Sequence, residues 1–444
     1  MKLNFTKYAL AIDKARTSFW FVPSIMVLSS ILLAIISIYI DAFFINNMDT
    51  PLPLINQMDI DAIRSLLGII AGAMITVTSI VFSITVVSLT LASSQFGPRL
   101  LRNFMMDKGT QLVLGAFISN FLFCILIFCA ISFQSPYDFK PVLTVIITII
   151  MTGISVGVLI YFIHHIAKSI QADVVIEDVY LELQNHIETL FPSISVPHKE
   201  AEHANSNARI TVHDHQLNVI SKCSGYIQTV DLEGLLTLAT NKQVFIECCF
   251  KPGDFVLKGT AIAIIHADTK INKDRDAEVL ALITLGAYRT PVQDPEFAVH
   301  QLVEIALRAL SPGINDPYTA ITCIDKLNST LCALTKRAFP EKQYFDKEGI
   351  LRLDNKVLKF EYIAEAAFTQ IRQEANNNAV VTLKLLDSLS QLMYFSCNAE
   401  QQNFVIRQTK MIKEQQNKQS LAEEDLNQIN HKITSILTKL SPSL

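Results

Sequence analysis

The sequence is poor in charge, and the charge it has is unevenly placed. Only 18% of its 444 residues are Asp, Glu, Lys or Arg, and 50% are hydrophobic, whereas soluble globular chains carry about 25% charged residues. Glutamate is absent from the first 170 residues, where ten Lys and Arg stand against seven Asp. The rest of the chain holds 27 basic and 34 acidic residues. This contrast predicts an apolar membrane portion followed by a soluble one, and no basic cluster favours nucleic acid as a partner.

Cysteine pairs and enzyme motifs are missing as well. The eight cysteines show neither C-x-x-C nor paired spacing, so we expect no disulfide framework and no zinc site, and unpaired thiols indicate a reducing compartment. There is no P-loop, no H-E-x-x-H and no dinucleotide-binding G-x-G-x-x-G. The cluster His213-Asp214-His215 offers two imidazoles on one face of a strand, but no third ligand. We therefore predict no catalytic residue, no metal and no cofactor.

Long apolar runs dominate the first part of the chain. Crossing a bilayer takes about 20 apolar residues, and four segments meet that length: 17–40, 66–94, 111–133 and 141–163. The uncharged run from Ser65 to Pro98 would measure roughly 50 Å as one helix, which exceeds the hydrocarbon core. We expect this helix to continue past the bilayer and to stop at Gly97-Pro98.

The short loops between these segments carry a bias in basic residues. Basic residues precede the first span and follow the second and fourth, at Lys2, Lys7, Lys14, Arg16, Arg99, Arg102, Lys108 and Lys168, whereas the first loop carries Asp41, Asp49, Asp59 and Asp61. The positive-inside rule then predicts that both termini lie in the cytoplasm. The acidic loop would raise the cation concentration at a pore mouth, although an ordinary solvated loop explains it equally well.

Small and hydroxyl residues form stripes on two spans. Those of the second span fall within an arc of about 80°: Gly68, Gly72, Thr76, Ser79, Ser83, Thr90 and Ser94. Those of the fourth span are Thr144, Thr148, Thr152 and Ser155. Both stripes could line a polar path for solutes, or they could serve close helix packing. Asn120, in the third span, indicates an interhelical hydrogen bond. The spans contain no acidic or basic residue, which argues against a proton-coupled carrier more than against a passive pore.

The remainder of the chain predicts an α+β portion in two parts. Residues 208–268 contain strand-like segments, ARITV, GYIQTV, VFIECCF and TAIAIIHA, with turns at KPGD and Gly259. Helical patterns then cover 295–310, 317–337, 356–376, 378–398, 401–418 and 421–438. The predicted fold class is a membrane α-helical domain with four transmembrane helices (1–170), a cytoplasmic linker and small β module (171–272), and a cytoplasmic helical bundle (273–444).

Several segments together resemble one family of bacterial predicted membrane proteins, classed as a domain of unknown function. They are SSQFGPRLLRNFMMDKGTQ at 93–111, FIHHIAKSIQ at 162–171, GAYRTPVQDPEFAVHQLVEIALRALSPGINDPYTA at 286–320, and AFTQIRQ at 367–373. The resemblance implies a bacterial inner-membrane protein with four spans and a cytoplasmic C-terminal half, and it brings no assigned site residues. Gly97 stands where the family pattern leads us to expect serine, and Ala298 where it leads us to expect glycine.

The segment ALSPGINDPYTA (309–320) is the densest cluster of helix-breaking residues. Asp316-Pro317 is typical of a helix N-terminus, as is Asp294-Pro295 earlier, and Gly313 suits a left-handed position after the preceding helix. Ser311, Asn315, Tyr318 and Thr319 are left unexplained by these helix signals. Amide groups at the second helix's start could take up an anion, with Arg289, Arg308 and Asn315 as candidate ligands.

Three hypotheses for function remain. The first is a homo-oligomeric channel or passive transporter for ions or small solutes, lined by the second span and gated by the cytoplasmic half. The alternative is a membrane-anchored sensor or scaffold that binds a cytoplasmic ligand or partner without transport. A weaker hypothesis is an enzyme acting on lipid, in which Arg99, Arg102, His164 and His165 would hold a lipid phosphate at the inner surface. In all three cases membrane lipids are partners.

Overall fold

The chain divides into two compact units, residues 1–174 and 175–444, here called the membrane unit and the C-terminal unit. The computed structural model describes residues 19–45, 59–98, 107–132, 141–193, 214–270, 275–375, 377–416 and 421–438.

The described part of the membrane unit consists of four long apolar helices. They are α1 (Phe21–Ile40, continued by a π-helical turn at Asp41–Ile45), α2 (Ile60–Phe96), α3 (Lys108–Ser132) and α4 (Val142–Ser169). Each is long and apolar enough to cross a membrane, with mean hydropathy between 2.2 and 2.6. α2 has 37 residues and so measures about 55 Å. It ends at Phe96, and Gly97 has a φ of 111°, which confirms the predicted helix stop.

α3 is the central helix of the membrane unit. Half of its apolar span is buried, against 22% for each of the other three helices. Phe117 and Phe123 are among its fully buried side chains. Close packing with α1 depends on Gly115, because a Cβ there would lie 2.5 Å from the Met26 sulfur and 3.2 Å from the Pro23 Cα. Small side chains in membrane helices let backbones approach in this way.

Most of α5 (Ala172–Leu190), whose first three residues belong to the membrane unit, lies in the C-terminal unit, which continues with two small sheets. The strands are β1 (His215–Ile220), β2 (Gly225–Val230), β3 (Phe245–Cys248), β4 (Phe255–Val256), β5 (Ala261–Ala267), β6 (Ile283–Gly286), β7 (Gln343–Phe345) and β8 (Leu351–Asp354). The orders among described strands are β1-β5-β3-β8-β7 and β4-β2-β6. All pairs are antiparallel except β3 with β8. Fully buried Ile246, Ile262, Ile265 and Leu353 belong to their shared core.

Helices complete the C-terminal unit. Two short ones, α6 (Leu232–Lys242) and α7 (Arg275–Leu280), lie between strands. The others are α8 (Pro295–Leu310), α9 (Pro317–Leu334), α10 (Phe360–Glu374), α11 (Ala379–Phe395), α12 (Ala399–Gln416) and α13 (Glu423–Thr438). These six correspond to the six predicted helices, and the strands predicted from GYIQTV, VFIECCF and TAIAIIHA are confirmed as β2, β3 and β5. The predicted strand ARITV (208–212) lies outside the described residues.

Sequence patterns did not predict α6, which lies between the predicted strands β2 and β3. Asp231 provides its N-cap, accepting a hydrogen bond from the Gly234 amide at 2.9 Å. The helix ends at Gln243, which adopts a left-handed conformation. The sequence carries the cap, but no glycine marks the end of the helix, so the usual C-terminal signal is absent.

Candidate functional site

The small and hydroxyl residues of α2 form an exposed face. The seven positions Gly68, Gly72, Thr76, Ser79, Ser83, Thr90 and Ser94, here called the α2 stripe, are all exposed on the single chain. A Cβ built at Gly68 or Gly72 would meet nothing within 4 Å. The buried face of α2 is formed instead by apolar residues such as Leu67, Ala71 and Val81. Most of the α2 stripe therefore points away from the described helices of its own chain, although Ser79 also borders a cleft shared with Pro23 of α1 and Leu114 of α3.

Each hydroxyl of the α2 stripe is bonded within its own helix. Thr76, Ser79, Ser83 and Thr90 donate to the carbonyl four residues earlier at 2.8–3.0 Å, and Ser94 donates to Leu91 O at 2.8 Å. Such back-bonding leaves the donor satisfied in an apolar medium, while the oxygen lone pairs remain available on the helix surface. The face is thus tolerable in lipid and also able to contact polar groups.

The hydroxyl stripe of α4 is inside the bundle. Thr144, Thr148 and Ser155 are buried, and Thr152 is half-buried. The Asn120 amide on α3 donates to the Ser155 hydroxyl at 3.1 Å, which confirms the predicted interhelical role of Asn120. The structure does not bring the two stripes together, since one faces its own bundle and the other faces outward. Two glycines of α4, Gly153 and Gly157, lie on an open face of that helix. A Cβ built at either one would meet nothing within 4 Å.

Asp41 has a structural role that corrects its interpretation as part of a solvated acidic loop. Its side chain is fully buried at the end of α1. It accepts hydrogen bonds from the backbone amides of Leu143 at 2.9 Å and Thr144 at 3.0 Å, and from the Thr144 hydroxyl. The carboxylate therefore caps the N-terminus of α4, where the helix dipole favours a negative charge.

Arg64 caps the C-terminus of α3, as Asp41 caps the N-terminus of α4. Its guanidinium donates to Ile131 O, in the last turn of α3, at 2.9 Å, and to Asp61 at 2.9 Å. A cation at a helix C-terminus satisfies carbonyls that have no partner in the helix. The charged residues flanking these spans thus complete helix ends.

At the opposite end of the hairpin formed by α3 and α4, Asp107 holds the two helices together. It accepts hydrogen bonds from the Thr110 amide at 2.9 Å and the Thr110 hydroxyl at 2.6 Å, and it lies 2.7 Å from His165 Nε2 on α4. A side chain at Gly109 would collide with the His165 ring. Burial alone would raise the pKa of Asp107, but the hydrogen bonds from Thr110 and His165 outweigh burial and lower it.

The lipid-phosphate candidates are only partly described. His165 is engaged with Asp107 and stacks on Tyr161, with ring centroids 5.3 Å apart. His164 is exposed. Arg99 and Arg102 lie outside the described residues. The proposed lipid role of the four residues stays a prediction.

The 309–320 corner is built largely as the sequence predicts, but a different residue adopts the left-handed conformation. Asp294 and Asp316 are N-caps that accept from the amides of Phe297 and Thr319, each at 3.2 Å, with a proline in the first turn. The left-handed residue, however, is Asn315, with a φ of 49°, and Gly313 does not adopt that conformation. The prediction for Gly313 was therefore wrong.

The other residues of this corner are accounted for by local bonds. Ser311 donates its hydroxyl to Arg308 O at 2.6 Å, and its carbonyl accepts from the amides of Ile314 and Asn315. The Thr319 hydroxyl donates to Asp316 at 2.6 Å. Hydrogen bonding to Thr319, despite partial burial, lowers the pKa of Asp316. Tyr318 is 77% exposed, and nothing in the structure explains why a tyrosine stands at this position.

The candidate anion ligands lie apart. Arg289 precedes the N-terminus of α8, whereas Arg308 is in its last turn, about 20 Å further along the helix. Arg289 makes a bidentate ion pair with buried Asp294, at 2.7 and 2.9 Å. Gly253, with a φ of 92°, allows this approach, since a Cβ would collide with the Asp294 carboxylate. Burial alone would lower the pKa of Arg289, but the hydrogen bond and charge of Asp294 raise it.

The thiols are unpaired, and several of them are buried. All eight cysteines are free. Burial raises the pKa of the Cys332 thiol to about 11, and burial with nearby negative charges raises that of Cys248 to about 12. Among the described residues no three His, Cys, Asp or Glu side chains form a group that could hold a metal. His213, part of the weak metal cluster, lies outside them.

Comparison with known proteins identifies the family. Residues 16–391 match the model of the family described as "Predicted membrane protein (DUF2254)". The chain belongs to this family. It is 32% identical over 332 residues to Uncharacterized protein Mb1321c of Mycobacterium bovis and to Uncharacterized protein Rv1290c of Mycobacterium tuberculosis. Each alignment covers 74% of this chain and 63% of the relative, so the chain spans less than two thirds of those proteins. No solved structure matches the chain.

In this DUF2254 chain, sequence reasoning missed the capping roles of Asp41 and Asp107. Asp107 stands three residues before Thr110 at the start of an apolar helix, which is an N-cap signal that the pattern offered. Asp41 gave no such signal, because the helix it caps begins about 100 residues later. Only the packed bundle brings it to α4.

Proposed function

We propose that this chain is a homo-oligomeric channel or passive transporter of a bacterial inner membrane, in which copies of α2 line the path for ions or small polar solutes. The observation that carries the proposal is the α2 stripe, a long small-and-hydroxyl face that the described part of its own chain leaves largely uncovered. Small residues favour close association of membrane helices, and a closed ring of copies would turn this face toward a shared axis.

The chemistry of the stripe suits weakly selective passage. Hydroxyl oxygens with free lone pairs can replace part of a solute's hydration, and no acidic or basic side chain lies between Ser65 and Pro98 to bind a solute tightly. The basic loops support a cytoplasmic location for both termini and the C-terminal unit. There the C-terminal unit acts as the gate in this proposal.

Flux through liposomes tests the proposal. Purified full-length protein should release ions or small solutes from vesicles, and Ser79→Leu should reduce that flux because leucine fills the lining. Ala73→Leu is the matched control: it adds volume at an exposed position about 100° from the centre of the stripe, and flux should be retained. Folded protein that conducts no tested ion or solute at any pH would refute the proposal.

The second candidate is a sensor or scaffold without transport, and the back-bonding of the stripe hydroxyls favours it. Because every one of these hydroxyls already has a carbonyl partner, the face can serve packing between copies alone. In that case Ser79→Leu would alter the oligomer but there would be no flux to lose. Deleting α13 would then impair binding of a ligand or partner by the C-terminal unit.

A further inference from the structure

The C-terminal unit contains one buried cation that lacks a described counter-ion. Arg372, on α10, is 8% exposed. Its Nε donates to Gln408 Oε1 and its NH1 to Gln415 Oε1, both at 3.0 Å. Five other arginines of this unit lie within 4 Å of a carboxylate: Arg289, Arg308, Arg337, Arg352 and Arg407. Arg372 has no such partner among the described residues.

A buried guanidinium without a negative partner is costly. Removing an unpaired ion from water carries an effective penalty of several kcal/mol. The two glutamine oxygens offer dipoles but no charge, and they leave other N–H groups of the guanidinium for a further acceptor. Burial lowers the pKa of Arg372, which reflects the same missing charge. Arg352 shows the usual solution in this chain, a buried pair with Asp346 at 2.7 Å.

A small pocket adjoins this group. It is lined by Arg372, Thr382, Leu385, Ile412, Gln415 and Gln416. Gln416 is 4% exposed, and within the described part of the chain neither its amide nitrogen nor its amide oxygen has a hydrogen-bond partner. A buried amide without hydrogen-bond partners destabilises the fold. A positive charge, an unused N–H donor and an unused amide oxygen therefore border one space.

The size of the pocket restricts the occupant. The pocket volume is about 10 Å³, which is room for about one water-sized species. Water would satisfy the hydrogen bonds but would not supply the missing charge, and a monatomic anion needs less room than a polyatomic one. We propose that this pocket binds a halide-sized anion, with Arg372 and the Gln416 amide as its ligands. The proposal concerns the C-terminal unit and does not depend on transport through the membrane unit.

Halide-dependent thermal unfolding tests the site. The full-length protein in detergent should show a melting temperature that rises and saturates with sodium chloride or bromide, relative to sodium gluconate at equal ionic strength. Sodium sulfate stabilises proteins by exclusion from their surface, so its effect should not saturate and should be equal in wild type and Arg372→Gln. Arg372→Gln should weaken halide binding by at least about tenfold, since a hydrogen bond to a charged group is lost. Arg407→Gln is the matched control on α12, and its halide response should equal that of wild type.

A second variant keeps the test decisive if Arg372→Gln does not fold. Gln416→Glu places a carboxylate in the pocket, so the protein should be stable in gluconate and indifferent to halide. Crystals grown in bromide should show an anomalous peak in the pocket of the wild type. A wild-type melting temperature equal in halide and gluconate would overturn the site, as would an equal halide response in wild type and Gln416→Glu.

Discussion

At the scale of single residues, this chain depends on polar groups that complete the ends of helices. Asp294 and Asp316 could be assigned from sequence because each stands beside a proline that fixes the helix start. Gly313 could not be assigned correctly, since glycine is only the commonest left-handed residue. The actual turn is set by the Ser311 carbonyl, which accepts from two amides, and by the Asp316 amide, which donates to Ala309 O at 2.7 Å.

Substitutions at Asn315 test whether its backbone conformation or its side chain matters for stability. Asn315→Ala should lower the free energy of unfolding by about 1 kcal/mol, because asparagine tolerates the left-handed conformation better than alanine does. Asn315→Gly should leave stability near that of wild type, since glycine adopts this conformation freely. Thermal or denaturant unfolding measures both. Equal stability losses for alanine and glycine would show that the side chain, and not the backbone, is what matters.

At the scale of helices and strands, prediction succeeded where the signal is continuous along the chain. Four apolar runs and six amphipathic helices follow from periodicity and length. The pairing of β3 with β8 does not, because Ile246 and Leu353 are more than 100 residues apart and β8 has only four residues. The outward direction of the α2 stripe could not be predicted either. The sequence shows which residues share a face of a helix, but it does not show which neighbour covers that face.

The Asp107 contact predicts an acid-sensitive link between α3 and α4. The pKa of Asp107 in the folded protein is below its usual value of 3.8. Its contribution is therefore complete above that value and is lost as pH falls through the lowered pKa. Asp107→Asn retains a capping side chain but no charge, so wild type should exceed this variant by about 0.5–1 kcal/mol near neutral pH.

Unfolding of both proteins in detergent, followed from neutral pH to below pH 4, measures this difference. The two stabilities should converge at the acid end. Asp59→Asn is the matched control, because Asp59 begins α2 without a side-chain capping bond and its variant should follow wild type throughout. A gap between wild type and Asp107→Asn that persists unchanged into acid would contradict a charge-based contact.

At the scale of the whole molecule, the uneven charge of the sequence corresponds to its two compact units. The first 170 residues, which lack glutamate, contain all four candidate spans. The acidic remainder contains both sheets and the helices from α8 onward. Composition could indicate this division, because the bilayer and water impose opposite demands on side chains. It could not indicate which charged residues near the spans are structural. Asp41 and Arg64 stand among the flanking charges, yet each caps a helix of its own bundle.

Membrane orientation follows from the remaining loop charges and gives a prediction for the intact cell. If Asp41 and Arg64 are set aside as structural, segment 46–58 has only Asp49, whereas segment 99–106 has Arg99 and Arg102. The positive-inside rule then still puts 99–106 in the cytoplasm and 46–58 outside. With the exposed native thiols replaced by serine, a membrane-impermeant maleimide should label Asn47→Cys on intact cells. It should label Asn103→Cys only after permeabilisation. The opposite pattern would invert the protein and place the C-terminal unit, with its proposed gate, on the far side of the membrane.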